Sequence, residues 1–255
     1  MDADRLDASS QTTSGPLGFS ASAGGTIVAC MDLELKGRVV LVVGATGFIG
    51  SAVAARLRTE GATVVAASRH TSDGVVMDAR DDVSVRDGLE RVLREHGRLD
   101  AVVVTAAPAA QTLDPSRSSD PDQVLEAVET KSLAFLRVAG AVLPTMTDAG
   151  YGRVVGVSGQ NAFTTGSIAG SVRNAALIIA AKNLADQVAG TGVTVNTVSP
   201  GIVSTDPDRA VAHGGGQCTP DEIADLIAFL VSPLGGGVSG ESIAVGHRMR
   251  GTTGL

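Results

Sequence analysis

Residues 39–50 read Val-Val-Leu-Val-Val-Gly-Ala-Thr-Gly-Phe-Ile-Gly. Five consecutive apolar residues run into three glycines, after which Ile49, Val53 and Leu57 recur at helical spacing. An unbroken apolar run of this length suits a strand covered on both faces, and the stripe after it suits a helix packed on that strand. Between them, glycines permit a tight turn and a close backbone approach, while the free N–H groups and dipole of the helix start attract an anion. Strand, glycine loop and helix in that order predict a phosphate-binding βα unit.

Further apolar runs at 63–67, 101–105, 153–157 and 193–198 extend the pattern. Helical stripes lie between them, such as Val85, Leu89, Val92 and Leu93. Thr219-Pro220-Asp221-Glu222 joins a capping box to a proline at the first helical position, followed by Ile223, Ile227 and Leu230. Alternating strands and helices predict an α/β fold: a three-layer, Rossmann-type, doubly wound parallel sheet of about seven strands. Ligands are then expected beyond the carboxyl ends of the strands.

The chain has 255 residues, 44% hydrophobic, and a formal net charge of -7. An acidic balance lacks the clustered Lys and Arg that displace counterions from nucleic acid, so no nucleic-acid partner is expected. No apolar stretch reaches the roughly 20 residues needed to span a bilayer, so no membrane partner is expected either. Cys30 and Cys218 form no metal spacing and too sparse a disulfide framework, which fits a cytoplasmic protein without a metal site. Residues 1–30 lack periodic hydrophobes and read as a disordered N-terminal extension, with residues 31–255 as one domain. Met31 directly precedes the first element and leaves open that the native chain starts there.

With the glycine loop at 44–50 and Asn196-Thr197-Val198-Ser199-Pro200-Gly201-Ile202-Val203-Ser204-Thr205, the chain resembles the short-chain dehydrogenase/reductase family over residues 33 to about 246. The resemblance implies that Gly44, Thr46, Gly47, Phe48, Ile49 and Gly50 surround a dinucleotide. Strand two ends in Ser68-Arg69, where NAD-preferring members carry an acidic residue, so Arg69 pairing with a 2'-phosphate favours NADP over NAD. Asp78 falls where the family contacts adenine, and Pro200, Gly201, Ile202 and Thr205 where it meets the nicotinamide.

The same alignment leaves Gly170 at the family's tyrosine position and Asn174 at its lysine position. Gly159 stands for the catalytic serine, with Ser158 beside it as a substitute. Tyr151, the chain's one tyrosine, is expected on a surface loop. Gln160, Asn161, Thr164 and Thr165 could orient a polar ligand, and His213 lies where the family has its substrate lid. Lys131 falls inside the stripe Val124, Val128, Phe135, Val138 and Val142, at a position where the family carries a supporting asparagine. A buried ammonium is costly, so Lys131 is expected either to enter space vacated at Gly170 and approach Asn174, or to run along the helix to solvent. Lys131, Ser158 and Asn174 are thus the candidate catalytic residues.

The reading implied is an NADP(H)-dependent oxidoreductase acting on a small-molecule carbonyl, imine or enone without the Tyr–Lys pair. A non-redox isomerase, dehydratase or cyclase, and a non-catalytic cofactor-binding subunit, remain open. Gly246-His247-Arg248 replaces the family's Asp-Gly-Gly ending, which weakens the case for a homo-oligomer without removing it.

Overall fold

The computed structural model describes residues 17–21, 27–108, 112–204 and 216–249, with side chains from residue 31 onward. Strands β1 (Leu17–Ala21) and β2 (Ile27–Met31) pair antiparallel with each other and stay apart from the main sheet. A two-stranded ladder therefore stands where the composition of residues 1–30 suggested disorder, because backbone pairing needs no buried periodic face.

The main sheet begins with β3 (Val39–Val43), followed by helix α1 (Phe48–Thr59) and strands β4 (Thr63–Ser68) and β5 (Val75–Val76). Helix α2 (Asp82–His96) leads to β6 (Ala101–Val104), and helices α3 (Pro121–Val128) and α4 (Ala134–Asp148) to β7 (Gly152–Val157). Helix α5 (Ile168–Gln187), strand β8 (Val193–Pro200) and the short pair β9 (Ile202–Val203) and β10 (Gln217–Cys218) follow. Helix α6 (Pro220–Val231) and β11 (Ser242–Val245) complete the fold.

Seven strands pair in the order β11-β8-β7-β6-β3-β4-β5, every neighbour parallel. Side chains alternate across them. Leu41, Val102 and Val154 face Val92, Phe135 and Leu177 of α2, α4 and α5. Val40, Val103 and Val155 face Val53, Leu57 and Ile227 of α1 and α6. Both faces are covered, which is why the strands read as continuous apolar runs.

Helix boundaries follow the local chemistry. Asp81 caps α2 by accepting from the Ser84 N–H, and Gly97 closes it in the left-handed region at φ 71°. Thr219 and Glu222 form the expected capping box. The stripe around Lys131 differs from expectation: α3 buries Gln123 and Ala127, and a π-turn at Glu129–Leu133 joins it to α4. Lys131 and Ser132 of that turn are buried.

At the amino edge of the sheet, buried Asp100 accepts from the Val39 N–H at 2.8 Å and pairs with Arg38 and Arg98. Burial pushes its pKa up, but the bonds from Arg98, Val39 and Arg38 outweigh this and hold it below the ordinary value. Tyr151 is not on a free loop. It lies between the guanidinium groups of Arg38 and Arg153, 4.4 and 4.3 Å from its ring centroid, because paired cations stack on its face. Asp100→Ala removes the acceptor of a buried N–H while both arginines can turn to water. We expect a loss of about 2 kcal/mol in urea unfolding, and no change would show that Val39 finds another acceptor.

Candidate cofactor and active site

All seven strands of the main sheet are parallel, so their carboxyl ends open on one edge. Gly44 there has φ +89°, and a Cβ would meet the Ala106 nitrogen and the Thr105 hydroxyl at 2.7 Å. A Cβ on Gly50 would stand 2.1 Å from the Gly44 carbonyl oxygen. Both glycines are demanded by the fold. Gly47 is different: its φ is an ordinary -78° and the nearest atom to an added Cβ is 3.2 Å away. It caps α1 with no side-chain bond, leaving the helix's first N–H groups uncovered by a cap.

A cleft of about 460 Å³ opens over this loop. Gly44, Thr46 and Gly47 form its floor; Ser68, Arg69, His70, Asp78 and Arg80 form the outer wall; Thr105, Ala106, Ala107, Pro108, Thr130 and Ala134 form the inner one. The Ser68 hydroxyl is buried without a partner. Arg69 and His70 are exposed at the rim. Arg80 grips the Asp78 carboxylate through two nitrogens at 3.1 and 2.9 Å, and this bonding lowers the Asp78 pKa to about 2. An uncapped helix start, an orphaned hydroxyl and the Arg69 guanidinium at the rim together fit a phosphorylated nucleotide.

Phe48 and Ile49 lie at the start of α1, with Phe48 exposed. Pro200 ends β8 at the same edge, and Gly201 packs so tightly that a Cβ would meet the Gly216 carbonyl oxygen at 2.0 Å. Ile202 is exposed beyond it. None of these three lines the cleft. Thr205 and His213 lie outside the described residues.

Lys131, Ser158 and Asn174 come together behind the inner wall. Lys131 donates from Nζ to the Ser158 carbonyl oxygen at 2.9 Å. Ser158 donates from its hydroxyl to the Asn174 carbonyl oxygen at 3.0 Å and from its N–H to Val198. Asn174 Nδ2 donates to the Gly170 carbonyl oxygen at 2.8 Å and to Asn161, while its Oδ1 is buried without a partner. Lys131 thus reaches the Asn174 backbone through Ser158 and does not run to solvent. Burial first, and Arg173 second, lower its pKa to about 7.

The space expected at Gly170 is filled. A Cβ there would stand 2.8 Å from Asn161 Nδ2 and 2.9 Å from the Ser167 hydroxyl, since Ser167 caps α5 and Asn161 turns in to bond Asn174. Gln160 orients no ligand in this arrangement. Its amide bonds the carbonyls of Val245 and His247, and its oxygen accepts from Met249, pinning the tail. Two residues of this region went unread in the sequence. Arg80 follows Asp78 by two positions in a local turn. Arg173 precedes Leu177 by four and shares its buried face, a polar interruption that the stripe itself carried. Among the described residues no cluster of His, Cys, Asp or Glu could hold a metal ion, and no helix is long and apolar enough to cross a membrane.

Residues 44–247 match the family described as enoyl-(acyl carrier protein) reductase. The chain is 29% identical over 255 residues to the 3-oxoacyl-[acyl-carrier-protein] reductase FabG of Escherichia coli (strain K12), covering 85% of this chain and 99% of that protein. It is 30% identical over 251 residues to the reductase of the same name from Vibrio harveyi, again with 85% and 99% covered. Among solved structures, gox2181 superimposes with a TM-score of 0.73 at 23% identity, over 83% of this chain and 95% of that one. The structure titled "ElxO with NADP Bound" does so with a TM-score of 0.72 at 19% identity, over 82% and 96%.

Two outcomes are expected of this geometry. Gly47→Ala should fold with nearly the parent's melting temperature yet lose NADPH affinity about tenfold or more, because its Cβ would occupy the anion's approach; unchanged affinity in a titration would remove the loop from the site. Lys131 binds fewer protons folded than unfolded between pH 7 and its ordinary value of 10.5. Stability from this group therefore rises with pH above about 7, by at most about 1.4 kcal/mol per pH unit. Denaturant titrations from pH 7 to 9 should show this slope in the parent and lose it in Lys131→Met; identical slopes would mean that the ammonium is solvated.

Proposed function

The chain belongs to the short-chain dehydrogenase/reductase family, and we propose that it is an NADP(H)-dependent oxidoreductase acting on a small-molecule carbonyl, imine or enone without a Tyr–Lys pair. The observation that carries the cofactor assignment is the cleft in which an uncapped helix start, the orphaned Ser68 hydroxyl and the Arg69 guanidinium share one wall system. The relatives' names speak of 3-oxoacyl reduction, and a 3-oxo group is a carbonyl of the class proposed here.

When bound, NADPH supplies the hydride. The chain's own residues bind and orient. Thr46, Phe48, Ile49 and Gly50 present backbone donors to the pyrophosphate, while Gly44 and Gly47, whose N–H groups bond Ala67 and Gly44, shape the turn that lets it approach. Ser68 donates to the adenosine ribose, Arg69 pairs with the 2'-phosphate, and Asp78 keeps free lone pairs for the adenine amino group even with Arg80 attached. The resemblance assigns Pro200, Gly201, Ile202 and Thr205 to the nicotinamide end, which would extend past the cleft that holds the rest of the cofactor. Lys131 serves as the cation or proton donor, with Ser158 and Asn174 positioning it. An amine titrating near 7 can hold or release a proton at working pH.

A non-redox enzyme, the second reading, would be favoured by the absence of Tyr and Lys at positions 170 and 174; the space it would reuse at Gly170 is narrowed by Asn161 and Ser167. Titration of the parent with NADPH and NADH, then of Arg69→Ala, tests the assignment. The substitution should weaken NADPH about tenfold or more and NADH much less. Equal losses, or a parent that binds neither cofactor, would overturn it; binding of NADPH with no absorbance loss across carbonyl, imine and enone substrates would favour the non-catalytic subunit.

A further inference from the structure

Lys131 and Arg173 lie buried behind the cleft's inner wall, near enough for Arg173 to lower the Lys131 pKa. Arg173 is 3% exposed and Lys131 8%. Among the described residues neither has an ion-pair partner. They are held close by stitching on both sides of the π-turn. Ser132, next to Lys131, donates its hydroxyl to the Arg173 carbonyl oxygen, and Lys131 reaches the Ser158 carbonyl whose own hydroxyl bonds Asn174.

Burial of an arginine alone would mean little. Arg153 is also buried, but three carbonyl oxygens, of Ser232, Gly152 and Gly192, accept from it, and Tyr151 stacks on its plane. Arg173 has one long bond, 3.3 Å from Nη1 to the Pro108 carbonyl oxygen, and its Nε is buried with no partner at all. A buried guanidinium left in this state is strongly disfavoured unless something anionic completes it. Pro108 belongs to the cleft's inner wall together with Thr130 and Ala134. Arg173 bonds the Pro108 carbonyl, so its guanidinium lies directly behind the cleft's inner wall.

We propose that the inner end of the cleft binds a carboxylate, bridged by the free edge of the Arg173 guanidinium and the Lys131 ammonium, so that the substrate is a carboxylic acid carrying the reducible group. This rests on the reading of the cleft as a cofactor and substrate site, and it names the substrate's charge. A monoanion matches the donors better than a phosphate does. The fork of one arginine fits two carboxylate oxygens, Ala107 and Ala134 make that end of the wall apolar, and the orphaned Asn174 Oδ1 would repel a second negative charge. Lys131, lowered to about 7 by its burial and by Arg173, regains its proton when an anion arrives.

The test compares acids with their uncharged esters on the full chain. Acetate, acetoacetate, levulinate and benzoate, and the methyl ester of each, are titrated calorimetrically with and without NADPH. At least one acid should bind about tenfold or more tightly than its ester, and Arg173→Met and Lys131→Met should each bring that ratio within about twofold. The ratio is taken within one protein, and the parent's acid-to-ester comparison decides even if a variant does not fold. The proposal is overturned if no acid binds, if acid and ester bind alike, if Arg173→Met keeps the ratio, or if inorganic phosphate competes as well as the best acid. Charge-selective binding in a protein that fails to bind NADPH would sustain this inference and sink the cofactor reading; NADPH binding without charge selectivity would do the reverse.

Discussion

The approach of Gly50 to the Gly44 carbonyl fixes where everything else on the carboxyl edge can lie. With no Cβ at either residue, α1 starts directly against the end of β3. The Thr105 hydroxyl then ties the end of β6 to the carbonyls of Val43 and Gly44. Loop, helix start and neighbouring strand become one rigid corner. The cleft is what remains between that corner and the ends of β4 and α3, and its polarity follows from the corner's uncapped N–H groups.

Behind the cleft's inner wall a different constraint holds, the cost of desolvating charge. A core of this size can bury a lysine and an arginine because each keeps partial compensation: a carbonyl for Lys131, a carbonyl for Arg173, and for Lys131 a lowered pKa that lets it shed its charge. The π-turn at Glu129–Leu133 carries one of the two cations. Such turns interrupt a helix at a cost in regular bonding, and they recur where a side chain must be presented out of register. Here the presented side chain reaches the Ser158 carbonyl, whose own hydroxyl bonds Asn174.

The chain's one tyrosine stands at the opposite edge of the sheet, clamped between Arg38 and Arg153 just before β7. Its burial raises its pKa, the reverse of what a proton donor at neutral pH requires. The family's fold is kept, and the amine on the π-turn, rather than this phenol, is the group whose pKa is brought toward neutrality. Asn161, turned in against Gly170 and Asn174, leaves little room for a side chain at position 170.

Much of this was legible in the chain itself. The apolar runs that became β3, β6 and β7, the Thr219–Glu222 box and the glycines at 44, 47 and 50 report local requirements, namely coverage on both faces, capping geometry and absent Cβ atoms. Period and spacing record such requirements directly. The oddity of Lys131 was legible too, because an ammonium inside an apolar stripe is visible without coordinates. Its partner was not. Ser158 lies 27 residues away, and only the approach of the π-turn to the end of β7 brings its carbonyl to Nζ. Tertiary structure alone decided that Gly170 opens no pocket, that Gln160 holds the tail and that Tyr151 is clamped between arginines. Each depends on where another element's side chain comes to rest, and hydrophobic periodicity within one element carries no record of that.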